Sequence, residues 1–220
     1  MTESSQEPFL EERLAMVEVQ VRKRGIQDQR VLDAMSKVPR HEFVSPQHWP
    51  DAYADHPVPI GEQQTTSQPY MIAIMLQAAE IMPQHRVLEI GAGSGYQTAL
   101  LAELAAQVFA VERCPALSAN ASHTLERLGY RNVTVITGDG SLGLPEHANF
   151  DAIIVAAAAP RVPPALLEQL APAGRLVVPV GDSHQQTLQV AHKQQNGTIT
   201  VSSLAGCRFV PLIGQQGFTA

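Results

Sequence analysis

The sequence has few of the residues that build a disulfide scaffold, a metal site or a membrane anchor. Its 220 residues include only two cysteines, Cys114 and Cys207, which give neither a disulfide framework nor a metal-binding spacing. We therefore expect two reduced thiols and no bound metal. The longest apolar run covers residues 152–159, which is far shorter than the roughly 20 residues of a membrane-spanning helix.

The chain also lacks an excess of positive charge. With 15 Lys and Arg against 21 Asp and Glu, its net charge is −6, so we expect neither nucleic acid nor a membrane as a partner. The opening residues, "MTESSQEPFLEER", are polar and acidic, which predicts no signal peptide and a cytoplasmic location. No surplus apolar helix requires a partner, and we therefore expect a monomer.

An apolar fraction of 45% is typical of a packed globular protein. Helical spacing of apolar residues predicts helices over residues 10–24, 28–36 and 71–80. Between them, residues 39–68 are irregular and rich in proline, and a loop of that length is more often functional than idle. We expect two units, a helical and loop appendage over residues 1–70 that contributes to the active site, and a main domain over residues 71–220.

Short apolar strands alternate with helices through the main domain. Strands are predicted for "RVLEI", "QVFAVE", "VTVIT", "FDAIIV" and "RLVVPV", with helices over residues 96–105, 115–128 and 163–170. This alternation predicts a doubly wound α/β fold, with a parallel sheet covered on both faces. Near the end, "TLQVAHK" and "TITVSSL" flank an Asn-Gly pair, which predicts an antiparallel hairpin.

A glycine loop, "LEIGAGSGYQTA", follows the first strand of this sheet, where such folds bind ligands. Glu89, just before the loop, would repel a pyrophosphate but suits an ammonium or a sulfonium. Glu112 ends the next strand, 21 residues after Gly91, where an acid accepts hydrogen bonds from ribose hydroxyls. Asp139 ends the third strand and could accept from an adenine amino group. Together these acids predict S-adenosylmethionine as the cofactor.

Other chemistries do not fit the motifs. "GAGSG" is not a nucleophile elbow, because Ala92 and Tyr96 stand where that motif requires glycine. His41 begins "HEFVS", which lacks the second histidine of a zinc-binding helix, and no phosphate-binding loop with Gly-Lys-Ser/Thr is present.

With these pieces in place, the chain resembles the bacterial protein-L-isoaspartate O-methyltransferases over about residues 16–214. The resemblance rests on "RGIQDQRVLDAMSKVPRHEFV", "PIGEQQTTSQPYMIAIM", "RVLEIGAGSGYQTALLAEL", "VERCPAL", "GDGSLG", "FDAIIVAAAAP" and "CRFVPLIG". It implies a Rossmann-like methyltransferase sheet and methyl transfer from S-adenosylmethionine to the free carboxylate of L-isoaspartyl residues in damaged proteins and peptides. The methyl ester then collapses to a succinimide, which begins the repair of the protein.

The resemblance also assigns the site residues. It makes Ser67 the catalytic residue. Three residues depart from the family pattern: Gln63 replaces a glycine, Thr66 an Ile or Val, and Ala156 a threonine. The implied substrate contacts are Thr65, Thr66, Ser67, Phe209 and Val210, and the implied cofactor contacts are Gln64, Thr65, Glu89, Gly91, Gly93, Gly95, Glu112, Asp139 and Gly140.

The stretch "QQTTSQPY", residues 63–70, has both a structural and a functional interpretation. Gln68 or Ser67 can cap the helix that follows, with Pro69 in its first turn. The same helix N-terminus offers unpaired N–H groups to an anion, and the Ser67 hydroxyl adds a donor. We expect both roles, a helix cap and a cradle for a carboxylate.

The segment "FVPL", residues 209–212, is prone to β structure, and Pro211 restricts it to an edge or an end. An exposed edge there could pair with the backbone of an extended peptide substrate, although an ordinary core strand fits the segment equally well.

Two other functions are compatible with the residues. A methyltransferase of the same fold could act on a small acid or on one dedicated peptide, a possibility raised by Gln63 and Thr66. A binding protein that has lost turnover is the second alternative, which the intact Ser67, Glu89 and Glu112 argue against.

Overall fold

A computed structural model describes residues 8–219. The first seven residues, on which the absence of a signal peptide and the start of the first unit were predicted, lie outside the described residues, as does Ala220. None of the helices in the described range is both long and apolar enough to cross a membrane.

Seven strands form one mixed sheet in the order β5-β4-β3-β6-β7-β8-β9. Strands β3 to β7 run parallel, and β8 and β9 continue the sheet antiparallel. The predicted doubly wound sheet with antiparallel C-terminal strands is therefore confirmed. The strands are β3 (Arg86–Ile90), β4 (Gln107–Glu112), β5 (Val133–Thr137), β6 (Phe150–Val155), β7 (Leu170–Gly181), β8 (Gln186–Lys193) and β9 (Ile199–Cys207).

The helices lie close to their predicted positions. The first predicted helix starts as α1 and continues through a π-helical segment, Met16–Val21, and a 3-10 turn, Arg22–Arg24. Asp28 caps the second helix, because its side chain accepts from the Arg30 N–H. The α-helices are α1 (Leu10–Ala15), α2 (Gln29–Lys37), α3 (Pro69–Ala79), α4 (Tyr96–Leu104), α5 (Pro115–Arg127) and α6 (Pro164–Glu168).

The segment expected to be irregular, residues 39–68, contains a β-hairpin that the sequence did not predict. Two 3-10 turns, Arg40–Phe43 and Pro46–Asp51, precede strands β1 (Val58–Gly61) and β2 (Gln64–Thr66). The strands pair antiparallel, and the two residues between them, Glu62 and Gln63, both have positive φ angles, 49° and 58°. A two-residue turn with positive φ at both positions favours Asn-Gly, so the residues Glu-Gln gave no sequence signal for it.

Two apolar clusters cover the two faces of the sheet, because successive strand residues point to opposite faces. Val87 belongs to the cluster beneath helices α2, α3 and α4, whereas Leu88 belongs to the cluster on the opposite face with Leu166 of α6. The first cluster extends without interruption from Met16 into the sheet. The N-terminal helices thus pack onto the main sheet through a shared core.

The tail after β9 forms no regular strand, contrary to one interpretation of residues 209–212. Pro211 forms an isolated bridge with Ala158, and Ala158 exchanges hydrogen bonds with the carbonyl of Val210 and the N–H of Leu212. This segment is therefore paired with the chain that follows β6. It is not the free edge that the sequence suggested.

Candidate active site

The glycine loop lies where the strand order reverses. Strands β4 and β5 extend the sheet on one side of β3 and strand β6 on the other, so the ends of β3 and β6 frame a crevice. The Gly91 N–H donates to Val111 O at 2.8 Å, and the Ala156 N–H donates to Ile90 O at 2.8 Å. These bonds fix the loop against the ends of both neighbouring strands.

A cavity of about 450 Å³ opens over this loop. Its floor includes Gly91 and Gly93, and a side-chain carbon at Gly93 would lie 3.2 Å from Ile60 Cδ1 of the hairpin. A side chain at Gly93 would therefore displace Ile60 slightly, and the φ of 55° there is a conformation that favours glycine. Of the residues predicted to bind cofactor or substrate, those lining this cavity are Gln64, Thr65, Gly91, Gly93, Glu112, Gly140 and Val210.

Glu89 lies beneath the loop and is fully buried. Its Oε2 accepts a hydrogen bond of 2.5 Å from Thr98 Oγ1, whereas its Oε1 has no hydrogen-bond partner among the described residues. Burial raises the pKa of Glu89 to about 8, against the opposing influence of Thr98 and Gln97. A buried carboxyl group with an unpaired oxygen is suited to a cationic ligand group.

Glu112 is held rigidly at the end of β4. Its Oε2 accepts from the Gly93 N–H at 2.9 Å, and its Oε1 accepts from the Cys114 N–H at 2.8 Å. Both oxygens keep lone pairs that can accept from a ligand hydroxyl. Because the glycine loop itself supplies one of the two donors, the carboxylate and the loop are oriented as a unit.

A second, much smaller cavity, about 30 Å³, lies beside the first. Ser67 and Thr66 line it from the segment before α3, and Glu89 lines it from β3. Gln68 occupies the N-cap position of α3 without a side-chain capping hydrogen bond, and Pro69 is the first residue of the helix, as the sequence predicted. The two cavities share Thr65, Gly91, Gly93 and Ala156, so a group held at Ser67 lies next to a ligand over the glycine loop.

Three predicted site residues line neither cavity. Gly95 packs against α5, because a side-chain carbon there would lie 3.2 Å from Ala121 Cβ. Phe209 is half-buried against the core, and its N–H donates to Gln186 Oε1. Asp139, the third of these residues, binds the C-terminal tail instead.

Asp139 organises the tail that borders the large cavity. Its Oδ1 accepts from the N–H and hydroxyl of Ser141, and its Oδ2 accepts from the Gln215 N–H at 2.8 Å. Burial alone would raise the pKa of Asp139, but the hydrogen bonds from Gln215 and Ser141 lower it overall. The tail in turn contributes Leu212 and Ile213 to the cavity wall.

The sequence did not identify several residues that shape the site. Ile60 and Glu62 border the cavity from the unpredicted hairpin, and Arg40 donates to the segment that carries Ser67. Proline and glycine around "VPIGEQ" are the signal that could have located the hairpin. No group of three or more His, Cys, Asp or Glu within residues 8–219 could hold a metal ion.

Sequence comparison places this site in a known family. The profile of the protein-L-isoaspartate (D-aspartate) O-methyltransferases matches residues 11–217. A protein-L-isoaspartate O-methyltransferase from Koribacter versatilis is 56% identical over 211 residues, covering 96% of this chain and 95% of that protein. A relative of the same name from Syntrophobacter fumaroxidans is 51% identical over 210 residues, covering 96% and 98%.

Solved structures agree with the sequence matches. A Plasmodium falciparum structure assigned as a protein-L-isoaspartate O-methyltransferase, in complex with S-adenosyl-L-homocysteine, superposes with a TM-score of 0.80 at 28% identity, covering 91% of this chain and 98% of that one. Another protein-L-isoaspartate O-methyltransferase gives a TM-score of 0.81 at 28% identity, covering 94% and 67%.

Proposed function

The chain belongs to the protein-L-isoaspartate (D-aspartate) O-methyltransferase family, and on that premise we propose how its residues carry out the reaction. The enzyme transfers a methyl group from S-adenosylmethionine to isoaspartyl residues of proteins. The predicted activity, cofactor and substrate class are thereby confirmed. The roles of individual residues are the substance of the proposal.

The two adjoining cavities together have the groups that S-adenosylmethionine requires, Glu89 on the small cavity and Glu112 on the large one. When bound, this cofactor supplies a methyl group activated by its attachment to a sulfonium. Glu89 would hold the ammonium of its amino-acid end, since the buried Oε1 has no hydrogen-bond partner within residues 8–219. Glu112 would accept from the ribose hydroxyls. Gly91, Gly93 and Gly140 allow close approach, and a side-chain carbon at Gly140 would lie only 2.4 Å from Ile90 Cγ2.

Ser67 is the residue to which we assign the substrate carboxylate, and its position in the small cavity carries the proposal. A carboxylate has an ordinary pKa near 4 and is ionised at neutral pH, so the site needs no general base. The site must instead orient the carboxylate, and the Ser67 hydroxyl and the N-terminus of α3 would do so by donating hydrogen bonds to it. The near-attack separation for such a transfer is about 3–3.5 Å. The two cavities share Gly91 and Gly93, which supports the binding of the carboxylate and the methyl donor next to each other.

Substrate recognition involves the tail as well. Val210 lines the large cavity, and we propose that it contacts the substrate peptide next to the isoaspartyl residue. Gln64 and Thr65, on strand β2, face the same cavity and would contact both ligands. Phe209, which packs into the core, would act by holding Val210 in place.

The cellular setting is part of the proposal. We infer a cytoplasmic monomer, with neither nucleic acid nor membrane as partner, in keeping with the net charge of −6. The division into an appendage over residues 1–70 and a cofactor-binding domain over residues 71–220 is likewise proposed. The position of Thr65 and Ser67 in the small cavity supports the expected contribution of the appendage to the active site.

The function is tested with methyl-labelled S-adenosylmethionine and two peptides that differ only in Asp or L-isoAsp at one position. We expect label on the isoaspartyl peptide alone, as a base-labile ester. Label on neither peptide, with S-adenosylhomocysteine still bound in calorimetry, would instead indicate a dedicated peptide or small-acid substrate.

A further inference from the structure

Arg40 is a fully buried cation that the reaction, as described above, does not use. It lies in the 3-10 turn Arg40–Phe43, and its side chain has no accessible surface. No carboxylate of residues 8–219 forms an ion pair with it. Its neighbours are neutral, and burial lowers its pKa from the ordinary value. A buried charge is costly unless it is paired or hydrogen-bonded. The hydrogen bonds of Arg40 therefore indicate its function.

The guanidinium of Arg40 points at the segment that carries Ser67. Its Nη2 donates to Ser67 O at 2.8 Å, and its Nη1 donates to Thr66 Oγ1 at 3.3 Å. Its Nε donates to Ala52 O at 2.7 Å, and its central carbon lies 4.7 Å from the centre of the Tyr96 ring. Tyr96 begins the helix after the glycine loop. Arg40 therefore joins the substrate segment to the cofactor loop.

The contact with Arg40 determines what the Thr66 hydroxyl can do. Guanidinium groups only donate, so Thr66 Oγ1 must act as the acceptor in this pair. The hydroxyl proton is then directed away from Arg40. Thr66 is buried and lines the small cavity together with Ser67. Its proton is therefore available to an acceptor inside that cavity, and the charge on Arg40 polarises the O–H bond toward such an acceptor.

We propose that Arg40 is a positioning residue that, through Thr66, presents a second hydroxyl donor to the isoaspartyl carboxylate. This inference rests on the proposed carboxylate site at Ser67. The substrate is an anion and the product is a neutral ester. The site therefore favours the substrate and loses most of this attraction once the methyl group has been transferred. The ester is therefore held less tightly than the carboxylate substrate.

The first test compares Thr66→Val, which keeps the branched shape, with Thr66→Ser, which keeps the hydroxyl. Binding of the isoaspartyl peptide and of its methyl ester is measured by calorimetry with S-adenosylhomocysteine present. Thr66→Val should weaken binding of the carboxylate peptide by about 10-fold or more, the range for hydrogen bonds to charged groups. The ester should change by less than about 3-fold, and Thr66→Ser should recover most of the lost affinity. Affinity for S-adenosylhomocysteine should be the same in all three proteins.

The second test places Thr66→Val in an Arg40→Met background. If Arg40 acts through Thr66, the double mutant should lose little more affinity for the carboxylate peptide than Arg40→Met alone. Should Arg40→Met fail to fold, Arg40→Gln replaces it as the background for Thr66→Val. Equal losses for peptide and ester in Thr66→Val, or none for either, would overturn the inference. Wild-type protein that binds no isoaspartyl peptide would instead overturn the proposed function.

Discussion

The hydroxyl of Thr98, on α4, donates a hydrogen bond of 2.5 Å to Glu89 Oε2, on β3. This bond occupies one oxygen of a buried carboxyl group and leaves the other oxygen without a hydrogen-bond partner within residues 8–219. Glu89 is thus neutral in the free enzyme at physiological pH, because burial raises its pKa to about 8. Two predictions depend on this state.

Replacing Glu89 by Gln should stabilise the free enzyme and abolish cofactor binding. Between the ordinary pKa of 4.5 and a folded value of about 8, the folded state keeps a proton that the unfolded chain has lost. The free energy of unfolding therefore falls as pH rises, by up to about 1.4 kcal/mol per pH unit. Glu89→Gln has no titratable carboxyl group at this position and does not lose this stability as pH rises. The melting temperature of the variant should therefore exceed that of the wild type at pH 8. A lower melting temperature at pH 8 would contradict the assignment.

Cofactor binding should release a proton. An ammonium placed against Glu89 favours the ionised carboxylate, so below pH 8 the group loses its proton on binding. Affinity for S-adenosylhomocysteine should rise with pH between 6 and 7.5, by up to about tenfold per unit. Calorimetry at pH 7 in phosphate and in Tris should give binding enthalpies that differ, because the released proton is taken up by buffers with different ionisation enthalpies. Identical enthalpies in the two buffers would rule out this role for Glu89.

Substitution of Ser67 by Ala should slow methyl transfer by roughly 10- to 1,000-fold, the range for a single positioning donor. Thermal unfolding and affinity for S-adenosylhomocysteine should stay at wild-type values, because the N-cap position of α3 is Gln68 and not Ser67. Ser122→Ala, on the exposed side of α5, is the matched control. An unchanged rate in Ser67→Ala would remove Ser67 from the site.

Glycine in place of Gln63 should stabilise the hairpin turn. Gln63 has a φ of 58°, a conformation that costs a residue with a side chain about 1–2 kcal/mol. Gln63→Gly should therefore raise the free energy of unfolding by roughly 1 kcal/mol in urea titrations. The same change at Gln195, in a turn where φ is not positive, should lower stability by about 0.5–1 kcal/mol. Equal effects at both positions would show that the turn is not strained.

Loss of the Asp139 carboxylate should release the tail. Asp139→Ala removes the acceptor for the Gln215 N–H, so the amides of Gln215 and Gln216 should exchange faster with solvent. Because Leu212 and Ile213 border the cavity, affinity for S-adenosylhomocysteine should fall several-fold. Asp182→Ala is the control, since Asp182 caps a turn through the N–H groups of His184 and Gln185. Unchanged exchange at Gln215 would refute the anchoring role.

The sheet could be predicted closely from the sequence. Strands β3 to β6 have the bounds expected of them, because each is a short apolar run with polar residues or turns at its ends. Strand β7 begins five residues earlier than predicted, at Leu170 rather than Arg175. Its first part, "LAPAG", contains Ala173, with a φ of 64°, and a proline and a glycine, which do not predict a strand.

The site was predicted less completely, for reasons of tertiary structure. Acids at strand ends follow a topological rule, which is why Glu89 and Glu112 could be identified. Arg40 lies 27 residues from Ser67 in the chain, and no local pattern links the two. The same holds for Asp139 and Gln215, whose contact spans 76 residues. Sequence spacing predicts contacts within a helix or strand, whereas these contacts join residues that are distant in the chain and depend on the tertiary fold.

The wall of the cofactor cavity combines Ile60, which precedes the sheet, with Leu212, which follows it. A ribosome makes the chain from its amino end, so the hairpin, the glycine loop and all seven strands are synthesised before Leu212. Domains fold in this order during synthesis, and the sheet can form while one wall of the cavity is still missing. The cavity wall is therefore complete only once the chain has been synthesised through Leu212 and Ile213.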